Sequence, residues 1–170
     1  MKKLLITSAI LLLTGLISAQ DTTSVDTYKI AFFSKDASGV FKEMKGEVVT
    51  NGDSLPTSFD LHIQTASINT GNGVQNKHAK SSEWFHSEKY PDIIFKSRKI
   101  VTNDEGVFAQ GDLFLHGVSK TIILPLTITT NDVHHVYKAK FTVDRADYQL
   151  GPKSKVSPSI KIIAAVTIKK

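Results

Sequence analysis

The 170-residue chain contains no cysteine, one tryptophan and two methionines. Without cysteine there are no disulfides, no thiolate metal ligands, no thiol nucleophile and no cysteine-linked lipid. A folded domain of this length must therefore rest on its hydrophobic core alone. Catalytic signatures are missing as well: there is no G-x-S-x-G, no H-E-x-x-H and no Walker-type phosphate loop. Ser, His and Asp are plentiful, but no coherent constellation of them is visible, so no catalytic residue is expected and the chain reads as a non-enzyme. An excess of one charge is nearly missing too. Lys and Arg number 21 against 16 Asp and Glu, for a net +5. Setting aside Lys2 and Lys3 leaves 19 against 16, about +3, concentrated only slightly at Lys153/Lys155 and Lys169/Lys170. With no basic stripe, nucleic acid is not an expected partner.

Long apolar runs occur only at the start, MKKLLITSAILLLTGLISAQ. Lys2 and Lys3 precede an apolar stretch from Leu4 to Ile17, and Ser18 and Ala19 are the small residues a signal peptidase prefers. The stretch is short for a membrane span of ~20 residues. The reading is a secretory signal over residues 1–19, removed to give a periplasmic or secreted domain over residues 20–170. No repeat or linker divides that domain.

Within it the dominant signal is alternation with period two, which places successive side chains on opposite faces of a strand. Tyr28, Ile30 and Phe32 form one such row. Phe59, Leu61 and Ile63 form another, followed by Ile122, Leu124, Leu126 and Ile128. Tyr137, Ala139, Phe141 and Val143 continue the pattern, and Ile160, Ile162, Ala164, Val166 and Ile168 close it. Less regular strand runs lie near Phe41 to Thr50, Ile93 to Val101 and Val107 to Leu115. Turn signals separate them: Asn51-Gly52-Asp53, Asn103-Asp104-Glu105-Gly106, Asn131-Asp132 and Gly151-Pro152. About eight strands with one apolar face predict an all-β antiparallel barrel with one short helix. Closure buries that face and removes exposed edges, and a barrel of this size either holds one small ligand or is filled by side chains.

One segment breaks the pattern: INTGNGVQNKHAKSSEWFHSEKYPDIIF, Ile68 to Phe95. It predicts a short helix from Gln75 to about Trp84, capped by Asn72 or Asn76 and ended before Tyr90-Pro91. Val74, His78, Ser81/Ser82 and Phe85 would share a face. His78 and His86 are eight residues apart, a rise of ~12 Å on a helix, too far for one zinc with Zn–N bonds of ~2.1 Å. His134 and His135 are adjacent and face opposite ways on a strand, so no metal site is expected; a fold that joined His62 and His116 would be the exception.

The same segment carries a resemblance. SINTGN at Ser67 to Asn72, KHAKSSEWFHSEKYPDIIFKSRKI at Lys77 to Ile100, GDLFLHGVSK at Gly111 to Lys120 and FTVDRADYQLG at Phe141 to Gly151 together resemble the YceI-like family, in order and over most of the chain after the leader. Ala79 stands where leucine is usual, and the N-terminal strand lacks the familiar early histidine segment. The resemblance implies an extended, lipocalin-like antiparallel barrel, exported to the periplasm. It implies a long isoprenoid ligand, a polyprenyl or quinone-type lipid, and no further cofactor. An apolar chain needs an apolar tunnel, because burial contributes ~25 cal/mol per Å². The expected lining is Tyr28, Ile30, Phe32, Phe59, Leu61, Ile63, Phe95, Leu113, Leu115, Ile122, Leu124, Leu126, Phe141, Ile162 and Val166, with Trp84 and Phe85 at the mouth; plain core packing is the competing role for each. Arg145 is the expected head-group contact, a phosphate ligand by its chemistry, with a local ion pair to Asp147 as its other role. His116-Gly117 should shape a hairpin corner, and Asn69, Thr70 and Gly71 a tight turn. Transient membrane contact and pairing of two copies are further expectations. Two other readings compete: an interaction protein with a side-chain-filled barrel, and an enzyme acting on a lipid-like substrate.

Overall fold

The computed structural model describes residues 20–52, 54–152 and 156–170. The expected leader, Asp53 of the first turn signal, and Lys153 and Lys155 lie outside the described residues. Strands β1 (Asp21–Phe33), β2 (Ser38–Phe41), β3 (Met44–Thr50), β4 (Pro56–Gln64) and β5 (Ile68–Asn69) precede helix α1 (Gly73–Lys80). Strands β6 (Asp92–Asn103), β7 (Gly106–Leu115), β8 (Val118–Thr130), β9 (His134–Asp144) and β10 (Ser159–Lys169) follow it. Every pairing is antiparallel, in the order β10-β9-β8-β7-β6-β4-β3-β1, and β1 pairs back onto β10. The ring is an eight-stranded closed barrel, as the alternation predicts.

The run from Phe41 to Thr50 differs from a single strand. It divides at Lys42-Glu43 because β1 is long and has two partners on one side. Asp21–Ser24 pair with β3, and Ile30–Phe33 pair with β2, which in turn carries β5. A register shift between Val25 and Thr27 changes the inward set of β1 from odd to even positions.

The apolar rows meet inside as two clusters. The larger includes Val48, Phe59, Leu61, Phe95, Leu113, Leu124, Tyr137, Val166 and Ile168, and the smaller Ile30, Phe41, Ile63 and Ile68. Short turns close one end of the barrel. The other end, the helix end, carries α1, the β2–β5 flap, residues 81–90 and a 3-10 turn at Arg145–Tyr148.

Closure is incomplete along one seam. β8 and β9 pair only from Leu126↔Ala139 to Thr130↔His135. Beyond that, β8 continues to its start at Val118 against β7, and β9 continues to Asp144 against β10, without pairing to each other. Pro125, which has no N–H to give a ladder, stands where the pairing stops. At the opposite seam, β4–β6 pairing ends at Asp60↔Lys96, and the Phe59 N–H is taken by the Ser97 hydroxyl at 2.8 Å.

Candidate functional site

Opposed residues of an antiparallel pair share a face, so the register shows what points inward. Phe32, Ile162 and Phe141 form one row across β1, β10 and β9. Ile30, Ala164, Ala139 and Leu126 form the next, and Tyr28, Val166 and Tyr137 the third. On the far wall Leu61, Phe95 and Leu113 align. Every expected lining residue is placed in the two clusters. Phe59, Leu61, Phe95, Leu113, Leu115, Leu124, Val166, Ile30 and Ile63 are buried, while Tyr28, Phe32, Trp84, Phe85, Ile122, Leu126, Phe141 and Ile162 pack against them with part of their surface accessible. Tyr137, not among the expected residues, sits edge-on to Phe59 at 5.4 Å and donates its hydroxyl to the Ser54 carbonyl at 3.1 Å. Burial pushes its phenol up to about 12.

At the helix end, Asn72 rather than Asn76 caps α1, accepting from the N–H groups of Val74 and Gln75. Asn76 instead accepts from the Thr70 N–H and hydroxyl, locking the turn at Gly71. The helix ends at Lys80, short of the expected Trp84, because the Ser81 N–H and hydroxyl both turn back to the His78 carbonyl. Of the expected shared face only Phe85, beyond the helix, packs on the core: α1 has no buried residue and Val74 is 80% exposed. Ala79 of α1 touches the smaller cluster, and Trp84 and Phe85 make the remaining contact with the barrel. The Trp84 indole N–H donates to His78 Nε2 at 2.8 Å, which puts the proton of the neutral imidazole on Nδ1.

The structure gives Arg145 a role that the sequence did not suggest. Only 2% of its surface is exposed, although it borders a cleft of about 450 Å³ with Ala146, Gln149 and Gly151. Nε donates to Ser157 O at 3.0 Å, Nη1 to Leu150 O at 2.8 Å and Nη2 to Val156 O at 2.7 Å. The guanidinium also lies over the Trp84 ring at 5.5 Å. With these three bonds it clamps the segment between β9 and β10. Gly151 is part of the clamp: its φ is +72°, and a Cβ there would come within 2.7 Å of the Trp84 ring. Nor does Arg145 pair with Asp147, whose partner is Lys120 at 2.7 Å.

Lys120 is the residue the sequence reading missed. It stands opposite Leu113 and so faces inward, the only lysine or arginine on an inward register of the described barrel strands. It lies at the helix end where the β8–β9 seam is open, with its ammonium 6.0 Å from the Tyr148 ring centroid. Alternation was a usable signal, since Lys120 is two residues before Ile122. β8, however, begins three residues before Thr121, where the apolar pattern starts. Burial, followed by the Asp147 charge, raises the Tyr148 phenol.

His116 and Gly117 form the two-residue corner between β7 and β8, both with positive φ (52° and 79°). His116 Nδ1 lies 3.3 Å from the Tyr148 carbonyl. A second cleft, about 240 Å³, lies beside this corner among Tyr90, Pro91, Ile94 and Phe114. His62 faces outward between Asp60 and Asp92 at 3.0 and 3.7 Å, and His134 meets Asp26 at 3.4 Å. Among the described residues no group of three or more His, Asp or Glu is placed to hold a metal ion. Asp112 is a wall residue: hydrogen bonding from Thr121, then Arg98 and its charge, hold its carboxyl below the usual value against the opposing effect of burial. Burial and the Lys170 charge lower His135.

Comparison with known proteins bears on this geometry. The YceI-like domain family model matches residues 17–168. A UPF0312 protein of Photorhabdus laumondii is 32% identical over 87 residues, covering 51% of this chain and 45% of that protein. Protein YceI of Escherichia coli is 30% identical over 88 residues, covering 51% and 46%. The alignments thus span about half the length of these curated relatives. The crystal structure of BcnA from Burkholderia cenocepacia superposes with a TM-score of 0.75 at 22% identity, over 82% of this chain and 95% of that one. A polyisoprenoid binding domain from Saccharophagus degradans, implicated in plant cell wall breakdown, superposes with a TM-score of 0.66 at 17% identity, over 88% and 96%. At these identities the two structures share the fold.

Proposed function

Because the chain belongs to the YceI-like domain family, we propose that it is a non-catalytic binding protein holding a long apolar ligand, an isoprenoid or quinone-type lipid, inside its barrel as carrier, store or scavenger. The observation that carries this reading is the lining. The inward registers are mostly apolar, with Lys120 at the helix end, yet Ile122, Leu126, Ile128, Phe141 and Ile162 keep accessible surface. An isoprene chain has almost no polar handles, so apolar burial at ~25 cal/mol per Å² must supply its affinity. The description of the Saccharophagus relative as a polyisoprenoid binding domain supports the ligand class. In this reading the chain end enters the barrel and the head group stays at the helix end beside Lys120. The protein acts outside the cytoplasm, after removal of residues 1–19.

The test is native mass spectrometry on protein expressed from the full-length chain, recovered from a bacterial periplasm without detergent, followed by lipid extraction. The expected result is a processed chain carrying a stoichiometric isoprenoid adduct. A clean apo mass, unchanged after incubation with polyprenyl lipids and quinones, would overturn the reading and leave a filled-barrel interaction protein. Lys120→Gln should weaken a polyprenyl phosphate by about tenfold or more, as expected for loss of a charged hydrogen bond, while a neutral quinone binds unchanged. Equal effects on both would remove Lys120 from the head-group site.

A further inference from the structure

We infer that the outer face of β9, β10 and the helix-end half of β1 is a docking surface for an anionic lipid bilayer. Its outward registers form three rows: Lys29, Ala165 and Lys138; Ala31, Ile163 and Lys140; Phe33, Lys161 and Thr142. Ile163, 37% exposed, lies at the centre of the four lysines, and Phe33, 43% exposed, lies at the corner beside Lys161. Among the described residues none of these lysines has a carboxylate within ion-pair distance. Asp144, at the end of β9, is turned onto the Ala146 N–H instead.

The opposite wall is built differently. There Asp60 holds Lys96 at 2.9 Å and Asp112 holds Arg98, and the apolar side chains are not ringed by lysines. Two basic groups of that wall are thus held by carboxylates, whereas the four lysines around Ile163 are not; Asp26, nearer the turn end of the docking side, is engaged by Lys169 and His134. Lysine stems lie along apolar surface while their charges reach outward. This is the pattern that anionic head groups attract and into which Ile and Phe side chains can insert. Lysine charges set around an exposed isoleucine on an extended sheet face suit a bilayer, which offers anionic head groups and an apolar layer together, better than an acidic protein, which offers the charge alone. The second row ends at Lys140, on the lip of the unpaired β8–β9 seam, so a docked barrel would present that seam to the bilayer. The inference stands apart from the interior-binding reading: an empty barrel could dock, and a lipid holder could work without docking.

The experiment is cosedimentation of the protein, expressed from the full-length chain and purified without detergent, with two vesicle types. One is phosphatidylglycerol mixed with phosphatidylcholine, and the other is phosphatidylcholine alone. Binding to the mixed vesicles only, weakened by added salt, is expected. Each lysine near an anionic surface contributes about a fivefold change in binding, so Lys138→Gln/Lys140→Gln/Lys161→Gln should lose roughly a hundredfold. Lys45→Gln/Lys96→Gln/Lys99→Gln on the opposite wall, with the same change in net charge, should lose little. Ile163→Ser, which leaves the charge alone, should lower binding again, and circular dichroism checks that each variant folds. Equal loss in the two triple variants, or equal binding to both vesicle types, would overturn the inference. So would absence of binding to anionic vesicles at low salt. If the chain were then retained on polyglutamate and only the face triple released it, the occupant would be an acidic protein.

Discussion

At Arg145 three nitrogens of one buried guanidinium reach the carbonyls of Leu150, Val156 and Ser157, between β9 and β10. Arg145→Ala would leave those acceptors unpaired beneath Trp84. We expect a loss of about 3 kcal/mol or more in urea denaturation, with part recovered by Arg145→Lys. The sequence could not show this role, because the partners are backbone atoms that no side-chain pattern encodes. Asp147, the partner the sequence suggests, is two residues away and taken by Lys120. Tyr137 supplies a pH test. Its folded-state pKa is about 12 against an ordinary 10.0. Its contribution is therefore complete below pH 10 and lost as pH rises toward 12. Tyr137→Phe should flatten that alkaline fall in stability and, by removing the bond to Ser54, cost about 1 kcal/mol at neutral pH.

At the scale of the element, α1 is held by its cap rather than by its face. Asn72→Ala should destabilise the helix locally by about 1 kcal/mol. Amide exchange at Val74 and Gln75 would report it, while global stability should change by less than ~0.5 kcal/mol, since α1 buries no residue. A global loss comparable to the local one would show that the helix supports the barrel. The existence of the helix was legible from Asn72 and the break in alternation; its end was not. Ser81 terminates it by a local back-bond, and Trp84 then reaches sideways to Arg145, a contact set by a segment some sixty residues later in the chain. The His116-Gly117 corner was legible because two-residue hairpin loops need positive φ, at both positions in the type I′ form seen here, and glycine supplies it at little cost. The Gly has a second reason visible only in the fold: a Cβ there would lie 2.8 Å from the Tyr90 ring.

For the whole molecule, β1–β10 pairing closes the ring while β8–β9 leaves it split at the helix end. Amides along residues 140–144 and 118–124 that face the seam should exchange with solvent faster than those of the β1–β10 ladder, because a ladder bond must open before its amide exchanges. An added ligand that occupies the barrel should slow them. Uniform protection around the ring in the ligand-free protein would contradict the split. The seam also accounts for the accessible surface of Phe141 and Ile122, which face inward on its two lips.

The sequence by itself determined the eight strands of the ring, though not the β2–β5 flap, together with the antiparallel closure and the apolar inner face, because alternation of side chains along a strand is a local property that survives in any register. It also marked the capped helix and the corner at His116. Only the tertiary structure decided that Lys120 faces inward at an open seam, that Arg145 is a clamp, and that four lysines gather on one outer wall with no ion-pair partner among the described residues. Each of these depends on which strand lies beside which and where its pairing stops, and those are relations between residues far apart in the chain.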